Sequence, residues 1–108
     1  MATPIEQLQA MRSMGENWDG YGAAPPQASA IELAREFVAL LETMLAKSTL
    51  GHATLHVSPT RIGGVLIECE SQSMQHEIEI HPDRAIGFLH LDKASGNIET
   101  RKFPILAE

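Results

Sequence analysis

The chain has 108 residues, 44% hydrophobic and 20% charged, proportions that suit one folded domain with its own core and exclude wholesale disorder. Fourteen acidic residues against eight basic ones give a formal charge of −6, which opposes non-specific attraction to nucleic acid. The single cysteine, Cys69, excludes an intrachain disulfide. No apolar run approaches the roughly 20 residues of a membrane-crossing helix, and no signal-peptide order opens the chain, so the expected location is the cytoplasm.

Thr3-Pro4-Ile5-Glu6 opens the first element. Thr3 is a capping residue, Pro4 suits the first helical position, and Glu6 completes a capping box. Ile5, Leu8, Met11 and Met14 follow at helical spacing, and Gly15 reads as the stop, giving a helix over about residues 4–14. Residues 16–26, with two glycines, two prolines, Asn17 and Asp19, read as a loop. A longer helix follows, with Ser29 and Glu32 as a second capping box and a start near Gln27 as the alternative. Ile31, Ala34, Phe37, Val38, Leu41, Met44 and Leu45 share one of its faces. Lys47 favours its C-terminal end, and Gly51 stops it or its following turn.

Beyond Gly51 the apolar period changes from helical to alternating. Strands are expected over 53–58, 65–70, 74–81, 85–92 and 98–103, separated by turn residues and ended by Pro104. The expectation is therefore a single α+β domain over residues 1–108. Two N-terminal helices pack on a four- to five-stranded antiparallel β-meander.

Register follows from keeping apolar residues together. Pairing Cys69 with His76, Ile67 with Ile78 and Val65 with Ile80 leaves Glu68 opposite Glu77 on the other face. A three-residue turn at 82–84 then sets Ile80 against Ile86, Ile78 against Phe88, and His76 against His90. Two candidate sites result. Cys69, His76 and His90 form a row of thiol and imidazole groups, chemistry suited to zinc or copper, although a structural zinc site takes four ligands and three are found. The alternative for that row is a small apolar cysteine beside two histidines at the sheet end. Glu68, Glu70, Glu77 and Glu79 form an acidic face, read either as solvated or as a docking surface for a basic protein partner. Arg101 is expected to relieve part of its repulsion.

The most distinctive stretch is Asn17-Trp18-Asp19-Gly20-Tyr21-Gly22-Ala23. With Pro25-Pro26, the 31–45 helix, Ser58-Pro59-Thr60, Gly63-Gly64 and the Glu77–Pro82 strand end, it resembles a family of small uncharacterised bacterial proteins. That family carries an Asn-Trp-Asp-Gly-x-Gly-Ala loop. The resemblance covers most of the chain and implies architecture and a bacterial origin, with no activity or catalytic residues attached. Cys69 departs from the aromatic residue the pattern leads one to expect there.

Read by itself, the loop offers Asx turns at Asn17 and Asp19 and positive φ at Gly20 and Gly22. Trp18 and Tyr21 read in two ways. In one, the loop is a folded plug, with Trp18 tucked between the first helix and the sheet. In the other, they are exposed binding anchors. An EF-hand reading of Asn17-x-Asp19-Gly20 fails for want of further oxygen ligands and a Glu at the twelfth position.

No nucleophile elbow, P-loop, His-Glu-x-x-His or Cys-x-x-Cys is present, no cofactor is expected, and His52 and His56 lack a nucleophile beside them. The leading expectation is a non-catalytic protein-interaction or regulatory module. A metal- or small-ligand-binding domain using Cys69/His76/His90 comes second and a small enzyme third. Strand edges allow a homodimer as well as a monomer.

Overall fold

The computed structural model describes residues 3–47 and 53–103. Gly51, His52 and Pro104, which carried expectations above, lie outside the described residues, as does the side chain of Lys47. Two helices, α1 (Pro4–Met11) and α2 (Ala28–Lys47), precede five strands. These are β1 (Thr54–Pro59), β2 (Val65–Glu70), β3 (Met74–Ile80), β4 (Ile86–Asp92) and β5 (Ile98–Phe103). The strands form one antiparallel sheet in chain order. The α+β meander is the architecture the sequence predicts.

The capping box of α1 forms as expected. The Glu6 amide donates to Thr3 Oγ1 at 3.1 Å and the Thr3 amide to Glu6 Oε1 at 3.0 Å, satisfying two amides that the helix start leaves free. The helix stops earlier than 14, however. Arg12, Ser13 and Met14 donate to carbonyls three residues back, a tightened turn rather than α-helix. Gly15 does not take the positive φ of a glycine stop. Met14 still reaches the core through that turn.

The second capping box does not form. The Ile31 amide bonds the Gln27 carbonyl, so Gln27 stands at the helix boundary and Ser29 lies inside the first turn. The Ser29 hydroxyl donates instead to the Pro82 carbonyl at 3.0 Å, pinning the start of α2 to the β3–β4 turn.

Register is as expected at every position predicted for β2, β3 and β4. Leu8 and Met11 of α1, Ala30, Ile31, Ala34 and Val38 of α2, and Val57, Val65, Ile67, Ile78 and Ile80 of the sheet form the buried core. At about 25 cal/mol per Å² of apolar area removed from water, this aliphatic layer is the main stabilising term. Among the described residues the helix backbones lie close to β1, β2 and β3 and not to β4 or β5, although Ile86 and Phe88 of β4 still pack against the core from the side. Consequently the face expected to lie on α2 divides: Phe37, Leu41 and Leu45 are half-buried, while Met44 is 58% exposed.

The free edge of β1 is partly closed. Gln7 Oε1 of α1 accepts from the Val57 amide at 2.9 Å, taking up an outward-facing donor of the strand.

Candidate functional site

The signature loop is built from its own polar groups. Asn17 adopts φ 61°, and its side-chain oxygen accepts from the Gly22 amide at 2.6 Å. Asp19 Oδ1 accepts from the amides of Tyr21 (2.8 Å) and Ala23 (3.1 Å), and Oδ2 accepts from Arg61 Nε at 2.9 Å. The Tyr21 amide first, and then those of Ala23 and the Arg61 guanidinium, hold the Asp19 carboxyl below the usual aspartate range. Gly20 and Gly22 supply the positive φ (77° and 82°) that the tight closure needs. Arg61 also donates to the Tyr21 carbonyl.

Trp18 donates its indole N–H to the Ala24 carbonyl at 2.7 Å and is half-buried, whereas the Tyr21 side chain is 81% exposed. Ala24 and Gln27 then bond the carbonyls of Arg61 and Gly63. The loop is thus a clamp between the α1–α2 connection and the β1–β2 turn. Of its two aromatics, Trp18 is held in the clamp and Tyr21 faces solvent. Arg61, its main tie, carried no motif signal.

Among the described residues no helix lies on the outer sheet face. Glu68 stands directly opposite Glu77, and Glu79 lies one same-face step along β3. Glu70 is paired with Lys93 Nζ at 2.8 Å. No lysine or arginine among the described residues pairs with Glu68, Glu77 or Glu79. Arg101 does not relieve them: its partner across β4–β5 is Phe88, so it lies on the inner face. The basic side chain of β5 on the outer side is Lys102. It lines a shallow groove with Glu77, Glu79, Leu66 and Leu89.

On the inner face, Cys69, His76 and His90 fall in the predicted row. His76 Nδ1 and His90 Nδ1 are 3.1 Å apart. Burial, and secondarily the neighbouring His90, push the His76 pKa below the usual imidazole value. Burial pushes the Cys69 thiol up. Among the described residues no group of three or more His, Cys, Asp and Glu side chains converges as a metal-binding set.

Two cavities meet here. One, of about 350 Å³, lies beneath the C-terminal half of α2 between Leu41, Met44, Leu45, Cys69, Ile78 and Phe88. The other, of about 320 Å³, is framed by His76, Phe88, His90, Glu99 and Arg101. His76 and Phe88 line both. Glu99 is the residue that sequence reasoning missed, and Arg101 the one it placed on the opposite face. Extending the period-two register one strand further puts Glu99 opposite His90 and Arg101 opposite Phe88.

No family model, curated protein or solved structure matches the chain. No helix among the described residues is long and apolar enough to cross a membrane.

Proposed function

We propose that the protein is a non-catalytic interaction module that docks a basic protein segment on the outer face of its sheet. The observation that carries this reading is the Glu68–Glu77 pair. Like charges directly opposite across two strands cost stability, and Glu79 adds a third carboxylate beside them. A lysine- or arginine-bearing partner turns that internal repulsion into intermolecular attraction, and the leucines flanking the groove, Leu66 and Leu89, add apolar contact. With a net charge of −6 behind it, the face also steers a basic partner toward itself.

The test is affinity capture from a lysate of the source organism at low and at high salt, followed by titration of the captured partner. Binding is expected to weaken as salt rises and to fall at least tenfold, about 1.4 kcal/mol, in the Glu77→Lys/Glu79→Lys variant. Unchanged partner affinity in that variant sinks the reading.

A second reading has its own observation. The apolar cavity beneath α2 opens beside the polar inner-face cleft through shared His76 and Phe88, an arrangement suited to a small ligand with an apolar body and a polar head.

A further inference from the structure

His76 and His90 are directly paired residues on neighbouring strands. Their ring centroids lie 4.4 Å apart, with the ring planes tilted by 50°. Cross-strand pairing thus places the two side chains side by side, and their Nδ1 atoms lie 3.1 Å apart. Such a contact admits two occupants. One is a proton, shared in an N–H···N bond in which one ring donates and the other accepts. The other is a metal ion. Two imidazole nitrogens, each about 2.0–2.1 Å from zinc, stand about 2.9 Å apart at a right angle and about 3.4 Å apart at the tetrahedral angle. The observed separation lies between these values.

We propose that His76 and His90 form a two-imidazole site for a divalent transition metal of the copper, nickel or zinc class. The remaining coordination positions open into the cleft. Neutral imidazole is a ligand for these ions, whereas magnesium and calcium select oxygen donors. The cavity of about 320 Å³ in front of the rings leaves room for water or for a donor atom of a bound molecule. Glu99, opposite His90 on β5, supplies a compensating negative charge within the same cavity, while Arg101 favours an anionic co-ligand there. Cys69 stands outside the site. It lines the apolar cavity beneath α2, and among the described residues no third His, Cys, Asp or Glu side chain converges with the two imidazoles. The inference is independent of the basic-partner reading, which uses the opposite face.

The experiment is calorimetric titration of the tag-free, metal-stripped 108-residue chain with Cu²⁺, Ni²⁺ and Zn²⁺, with Mg²⁺ as control. One equivalent of a transition metal is expected to bind. Affinity should fall by about tenfold or more in His76→Asn and in His90→Asn and be retained in Cys69→Ser. Lack of saturable binding to the wild-type chain, retention in both histidine variants, or loss in Cys69→Ser overturns the proposal. Should a histidine variant fail to fold, Ni²⁺ broadening of the wild-type imidazole NMR signals decides. Broadening led by His76 and His90 supports the site, and broadening led by His56 or His81 overturns it.

Discussion

At Gly64 an added β-carbon would stand 2.2 Å from the Ile80 carbonyl oxygen and 3.0 Å from the Thr60 hydroxyl. Backbone of a central strand cannot step aside as a flexible side chain can, so Gly64→Ala is expected to cost about 3 kcal/mol in urea unfolding. Gly20 makes the contrasting case. Its β-carbon would meet nothing within 4 Å, but its φ is 77°. Gly20→Ala is therefore expected to cost only about 1 kcal/mol, from backbone strain alone. The Gly63-Gly64 pair is legible in the sequence as a bend. That its second glycine is required by close approach to β3 is a long-range fact, carried by no local pattern.

Asp19 gives a charge-dependent prediction at the same scale. Its folded pKa lies below the ordinary 3.8, so the unfolded chain binds the proton more readily. The stability from its ionised form is present above about pH 3.8 and is lost as pH falls through the lower folded value. Asp19→Asn is expected to lower the melting temperature at pH 7, with the gap to the wild type closing in acid. A gap unchanged at low pH would show that the carboxylate charge is immaterial to the clamp.

Among the elements, the β3–β4 hairpin joins structure to titration. The folded pKa of His76 is held below the usual 6.5. Between that folded value and 6.5 the unfolded chain carries more protons, so stability rises with pH across this window. It is complete above pH 6.5 and declines as pH falls through the window. Chemical unfolding followed from pH 8 to pH 5 is expected to show this decline in the wild type and a flatter profile in His76→Asn.

The hairpin registers were legible because alternating apolar residues leave one pairing that keeps Ile67, Ile78 and Phe88 on a common face. The Thr3–Glu6 capping box was legible because its partners lie three residues apart. The start of α2 was not. Ser29 and Glu32 have capping-box spacing, but the Ser29 hydroxyl is claimed by Pro82, 53 residues away. The local signal yielded to a tertiary hydrogen bond.

Across the whole molecule the decisive mismatch is between a helical layer that reaches β1, β2 and β3 and a sheet of five strands. Sequence patterning shows that α2 has an apolar face. It does not show how far across the sheet that face extends. The exposed Leu40 and Met44, and the half-covered Phe88, mark where the layer ends. The candidate row Cys69, His76 and His90 was legible from strand period alone. Its division into a cysteine beneath α2 and a histidine pair in an open cleft was not, because that depends on the helix edge.

The strand order also sets an order of local opening. β1 lies at one edge with Gln7 bonded to its outer amide, whereas β5 lies at the other, with the described residues from Lys93 to Lys102 exposed. Local opening takes least free energy where few apolar contacts are broken. Backbone amides of β5 are therefore expected to exchange with deuterium faster than those of β2 and β3, and equal protection across the sheet would refute this. Since β5 carries Glu99 and Arg101 while β3 and β4 carry the histidines, such opening would remove one wall of the cleft and leave the imidazole pair in place. The cleft would then breathe on the timescale of strand fraying, giving molecules an entrance that requires no movement of the core.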